Sequence, residues 1–190
     1  MDVSELLRNR VSMPKLQAPA PDQRTMEDCY QAAVRAPDHG RLKPWRFMQI
    51  TGNGLDRLGQ LYLDAENFDA VKNNGEEVSE IRKNKLLSMP HRAPMIVVVI
   101  AKVEAHPKVP KEEQLMAAAC AAFGLSVSLY GKGYGCMWRT GGMAYHPMVK
   151  MGLGLAEGEE IVGYMYIGTP DCTPKTPKLL EIDDFLTKWE

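Results

Sequence analysis

The residues able to do chemistry are few and far apart. Cys29, Cys120, Cys136 and Cys172 form no C-x-x-C pair, and His39, His91, His106 and His146 show no H-x-x-x-H or similar ligand spacing, so a metal site has no support in the pattern and none is assigned. No nucleophile-and-base constellation stands out, and no G-x-G-x-x-G or P-loop follows a candidate strand. A dinucleotide, if used, is a visiting substrate and not a Rossmann guest. Hydrogen-bond donors are the other candidates. Arg10 and Ser12 in Leu7-Arg-Asn-Arg-Val-Ser12 are a guanidinium and a hydroxyl, the donor types a phosphate dianion needs. Arg10 reads equally as a solvated charge ending a short helix. Gly135-Cys-Met-Trp-Arg-Thr-Gly141 ends a candidate strand in glycine, which lets a ligand approach backbone N–H groups closely. Arg139 reads there as electrostatic support or as a surface charge.

The elements that must position these residues are legible in outline. A short helix is expected over Asp2 to Arg10, stopped by Pro14, and a second from the N-cap Asp22 to Arg35, where Met26, Cys29, Tyr30 and Ala33 recur at helical spacing. Trp45 to Thr51 alternates as a strand, and Leu55, Leu58, Leu61 and Tyr62 predict a helix from about Leu55 to Phe68. Residues 69 to 92 are polar, with a turn at Asn73-Asn-Gly75, a helix around Val78 to Leu87, and either a solvated face or a flap over a site. Met95 to Val103 is rich in Val and Ile without alternation, as a strand buried on both faces would be. Pro110, placed in a first turn, opens a long helix whose run from Leu115 to Tyr130 is apolar or small nearly all round. Such a helix is central in a monomer or packs on a second copy. Strands at Cys136 to Thr140 and Ile161 to Gly168, with a short helix around Pro147 to Met151 between them, make four strands among five or six helices. The class is α+β.

Composition bounds the partners. The chain has 190 residues, 23 Lys plus Arg and 24 Asp plus Glu, a formal charge of −1, so no overall field draws it to nucleic acid or to a membrane surface. Its length suits one domain over residues 1–190 that buries roughly 70% of the unfolded chain's surface. The longest apolar run, Met95 to Ala101, is far short of the roughly 20 residues that span a bilayer. A cytoplasmic protein with reduced thiols is expected.

Four segments, spread over nearly the whole chain, resemble the nitroreductase family of flavin enzymes. Leu7 to Ser12 is similar to its N-terminal R-R-S-x-R, with Val11 for the second Arg and Lys15 one step beyond the later basic position. Ala36-Pro-Asp-His-Gly-Arg-Leu-Lys-Pro-Trp45 resembles its P-S-S-x-N-x-Q-P-W loop, with Pro37, Pro44 and Trp45 at the same spacing. A subgroup of small nitroreductases with an A-P-D-H loop preceded by Arg resembles this chain here, at Arg35 to His39. Gly135 to Gly141 falls where the family runs beside the isoalloxazine ring, with Thr140 where its Glu is frequent. Gly168-Thr-Pro170, Pro174-Lys-Thr-Pro-Lys178, Leu-Glu-Ile and Trp189 resemble its C-terminal ending.

The resemblance implies a central, mainly antiparallel sheet flanked by helices in an intertwined homodimer with FMN at the interface. It places Arg10, Ser12, Lys175 and Lys178 at the phosphate, Trp138, Arg139, Thr140 and Gly141 at the ring, and Arg35 and His39 on the flavin of the other subunit. It implies ping-pong hydride transfer from NADH or NADPH to a nitroaromatic, quinone or similar small acceptor, with the flavin doing the chemistry. Two other readings stand beside it: a flavin-binding redox sensor or partner protein without general turnover, and a family member dedicated to one metabolite. Trp45 is read as packing.

Overall fold

In the computed structural model, which describes residues 2–190, the chain builds one antiparallel sheet between two unequal helical layers. The strands are β1 (Leu16–Gln17), β2 (Trp45–Thr51), β3 (Met95–Lys102), β4 (Gly135–Arg139) and β5 (Glu159–Pro170). β5 is the organiser. Being twelve residues long, it pairs with β3 along most of its length, with β4 through Tyr164 to Gly168, and with β1 through Thr169 and Pro170, while β2 pairs with β3.

The helices are α1 (Val3–Asn9), α2 (Gln23–Ala33), α3 (Asn53–Asn74), α4 (Glu80–Ser88), α5 (Lys111–Gly131), α6 (Gly142–Tyr145) and α7 (Pro147–Gly152). Asp22 caps α2 as expected, its carboxylate accepting the Thr25 N–H at 2.7 Å. β3 explains the two layers. Its side chains alternate in direction, so Ile96, Val98 and Ile100 join Tyr62, Leu58 and Leu86 of α3 and α4 on one face. Met95, Val97 and Val99 join Met26 and Cys29 of α2 and Leu125 and Leu129 of α5 on the other. Both faces are covered, which is why the strand shows no polar alternation in sequence. Trp45 packs against Ala101, Ala117, Ala118 and Ala121.

Four differences from expectation have physical reasons. α3 begins at Asn53 and runs on to Asn74, ending at the left-handed Gly75; its polar last turns carry little apolar pattern. Pro110 is the N-cap of α5, just outside its first turn. β1 and α6 were not expected, being too short to show a period. α5 is long and apolar enough to cross a membrane by length and composition, although 44% of that window is buried inside the protein. The helix lies on α2 and the sheet. Its outer stripe, Met116, Cys120 and Phe123, is exposed.

Two other features bear on the site. The β3–β5 register shifts between Val99 and Ile100, pairing them with Gly163 and Ile161, so Val162 is left over as a bulge. The loop before β2 holds Arg41 at φ 58 and Lys43 at φ 49, left-handed conformations uncommon outside glycine. The Lys43 N–H donates to the Asp38 carboxylate at 2.7 Å.

Candidate functional site

β4 is where the chemistry-bearing residues gather. The chain after α1 runs alongside it, the Met13 N–H donating to the Cys136 carbonyl at 3.1 Å, and so carries Arg10 and Ser12 to the start of the strand. A cavity of about 320 Å³ opens there, lined by Ser12, Pro14, Lys15, Met137, Thr173 and Lys175 among others. Of the four residues that the resemblance puts at a phosphate, Ser12 and Lys175 line this cavity. Arg10 does not line that cavity; its guanidinium is 5.7 Å from the centroid of the Phe123 ring on α5. Lys178 is exposed and does not line it.

The other end of β4 lines a second cavity, of about 390 Å³, with Trp138, Arg139, Thr140 and Gly141 on one side and Tyr62, Tyr164 and Tyr166 on another. Met137 lines both cavities. They are consecutive along one strand.

The backbone makes this second cavity possible. The bulge frees the Val162 carbonyl, which accepts the Trp138 indole N–H at 3.3 Å, and Gly163 leaves room for that indole, because a Cβ there would overlap Trp138 Nε1. Gly141 has φ 98, a conformation that favours glycine, and nothing stands within 4 Å of where its Cβ would be. The Thr140–Gly141 backbone is thus open to a ligand. Arg139 lies 5.5 Å from the Tyr166 ring centroid, and its Nε is buried without a hydrogen-bond partner. A buried donor left unpaired costs about 1–3 kcal/mol. That donor is available to a ligand.

One free thiol, Cys172, lines the first cavity, and no cysteine lines the second. Burial pushes the Cys136 thiol up to about 12 against the smaller opposing effects of Ser126 and Arg10, which keeps it protonated and inert. Burial likewise raises the Tyr164 hydroxyl to about 12.

Arg35 and His39 lie apart from both cavities within the chain. Arg35 is exposed just beyond α2, and His39 Nδ1 is 2.6 Å from Glu113 Oε2 near the start of α5. The sequence reading missed Met137, Thr173, Arg92 and the three tyrosines. An apolar residue between two motif residues carries no signal of its own, and Arg92 reaches the second cavity from the turn after α4.

The family model described as Nitroreductase family matches residues 7–169. YdjA of Escherichia coli (strain K12), provisionally named an NAD(P)H nitroreductase, is 36% identical over 179 residues, covering 93% of this chain and 92% of that protein. A Haemophilus influenzae protein with the same provisional name is 33% identical over 98% of this chain and 99% of its own length. Among solved structures, a nitroreductase-like family protein from Bacillus cereus superposes with a TM-score of 0.82 at 22% identity, covering 100% of this chain and 97% of that one. The FMN-dependent nitroreductase NfnB from Mycobacterium smegmatis, in complex with NADPH, gives 0.74 at 13% identity, covering 98% and 97%.

Proposed function

Because this chain belongs to the nitroreductase family, we propose that it is an FMN-dependent oxidoreductase that passes hydride from NADH or NADPH to a nitroaromatic, quinone or similar small acceptor. The observation that carries this reading is the pair of cavities joined at Met137. One offers cations and hydroxyls suited to a phosphate, the other an open glycine backbone and an uncommitted guanidinium.

The residues fit the flavin. Ser12, Lys15 and Lys175, joined by Arg10 from the end of α1, would hold the phosphate by charge-assisted hydrogen bonds. Thr140 and Gly141 would present backbone donors to the ring edge, with Arg139 supporting negative charge there and Trp138 fixed beside it by Val162. Lys178 joins the phosphate site only if the tail folds back, and Arg35 and His39 serve the flavin of a second subunit. FMN, when bound, supplies the two-electron carrier, and the donor nucleotide leaves before the acceptor enters. The protein binds, orients and excludes water.

The same reading makes the chain a single flavin-binding domain over 1–190, cytoplasmic, working as a homodimer. Two surfaces support the dimer. Met116 and Phe123 on α5 are 59% and 45% exposed, and the tail after β5 leaves Leu179, Phe185 and Trp189 at 92%, 71% and 100%. Apolar side chains exposed to that degree are a surface awaiting cover.

The deciding experiment is to release the chromophore from purified protein by heat and identify it. FMN is expected; a colourless protein that takes up no added FMN ends the proposal. Arg10→Ala should then weaken FMN binding by about 2–3 kcal/mol with little change in turnover per bound flavin. Wild-type affinity in that variant would remove Arg10 from the phosphate site.

A further inference from the structure

The cavity beneath Arg139 contains more positive charge than a ring edge needs. Arg92, at the end of the turn Pro90–Arg92, lines it together with Arg139, and no Asp or Glu does. Among the described residues the acids paired with arginines are Glu159 with Arg46 and Glu66 with Arg82. Arg92 and Arg139 have no carboxylate of their own.

The two charges converge on one residue. Arg139 lies 5.5 Å from the Tyr166 ring centroid and Arg92 lines the same cavity; burial raises the Tyr166 hydroxyl, and Arg92 and then Arg139 pull it back down. The other walls are Tyr62, Tyr164, Met89 and Met143, aromatic and sulfur-bearing faces suited to a ring. Two uncompensated cations at the edge of a protein cavity attract an anion more strongly than the same charges in open water. At about 390 Å³ the space is near the lower end of the range of about 300 to 1,000 Å³ for small-molecule sites. It suits a single-ring acid better than two linked nucleotides.

We propose that this cavity is the acceptor subsite and that it selects small aromatic carboxylates, with Arg92 receiving the carboxylate, Arg139 adding its charge from the flavin side and the tyrosines receiving the ring. The assignment as an acceptor subsite rests on the flavin reading of Trp138 to Gly141. The carboxylate preference itself does not. Arg92 is a specificity residue in this scheme, because it comes from an exposed turn and not from the strand that meets the flavin.

The test uses the purified holoprotein, with flavin content measured first for each variant. Calorimetric titration with 4-nitrobenzoate and its neutral relative 4-nitrobenzamide should show the carboxylate binding about tenfold more tightly or better, the scale of one charge-assisted hydrogen bond. Arg92→Gln should bring the two ligands together, and Arg92→Lys should restore part of the preference, since it keeps the charge and loses the planar fork. Circular dichroism checks that both variants fold. Equal binding of the two ligands by wild type overturns the proposal, as does an Arg92→Gln protein that keeps the full preference. If Arg92→Gln instead raises the KM for NADH or NADPH in flavin bleaching and leaves the carboxylate preference intact, the cavity reads the nucleotide and the proposal also fails. A flavin-loaded wild type without preference defeats this inference alone. A flavin-free wild type that still prefers 4-nitrobenzoate defeats the flavin reading and leaves the carboxylate site standing.

Discussion

The central sheet and the tail that follows it are built from similar residues and come to opposite ends. In β3 every residue from Met95 to Ala101 is buried, each side chain finding cover from the chain's own helices. Beyond Pro170 the chain carries Leu179, Leu180, Ile182, Phe185, Leu186 and Trp189, all more than half exposed, with only the short turn Ile182–Asp184 as regular structure. The sheet is self-sufficient; the tail is apolar without a partner of its own. Apolar content alone therefore does not decide what is core. A segment becomes core when the topology brings a second layer to it, and within this chain the tail has none.

The largest effect should come from the self-sufficient region. Ile96 is fully buried between the sheet and α3, so Ile96→Ala should cost about 2–5 kcal/mol in a urea titration. A loss under about 1 kcal/mol would mean the site collapses freely, against the close packing expected of such a core.

Deleting residues 172–190 should do the reverse. Folding stability should change by less than about 0.5 kcal/mol, the usual range for surface changes, because nothing in the sheet leans on that stretch. Dimerisation and FMN retention should both fall, the second because Lys175 leaves the phosphate cavity. Sedimentation and flavin titration measure the two losses. A truncated protein that stays dimeric and fully loaded would show the tail to be idle and the contrast to be superficial.

The smallest effect lies at the sheet's open end, where polar contacts replace apolar ones. Arg46 donates from Nε to Glu159 Oε1 and from a terminal nitrogen to Oε2, both at 2.6 Å. That hydrogen bonding holds the Glu159 carboxyl below its ordinary value of 4.5. A carboxyl whose folded-state pKa is lowered contributes stability above its unfolded value and loses it as pH falls through the folded one. The urea midpoints of wild type and Glu159→Gln should thus differ at pH 7 and converge in acid. A gap that is constant with pH would assign the effect to packing.

The legibility of the chain follows the same division. β3, β5, α2 and its Asp22 cap could be read because their periodicity or capping chemistry is local. So could the nearness of Ser12 and Lys175, through motif resemblance at both ends, whereas Lys15 stands one step off the motif position and gave no clear signal. α3 beyond Phe68 could not, since its last turns bury little and so carry little pattern. Arg92 was invisible for another reason. Its neighbours in the cavity, Arg139 and Tyr166, lie on strands more than forty residues away, and only the register of β4 on β5, which places Arg139 opposite Tyr164 and Met137 opposite Tyr166, brings them together.

The loop before β2 carries one last consequence, for anyone who breeds this protein for heat tolerance. Arg41 and Lys43 each occupy a left-handed conformation that costs an ordinary L-residue roughly 1–2 kcal/mol and costs asparagine less. A selection for survival at high temperature, blind to turnover, should therefore enrich asparagine at 41 and 43 early, with gains of a few tenths to about 1 kcal/mol apiece. The same clones, assayed for activity, would reveal whether those two long cationic side chains have work to do at the positions their backbone holds under strain.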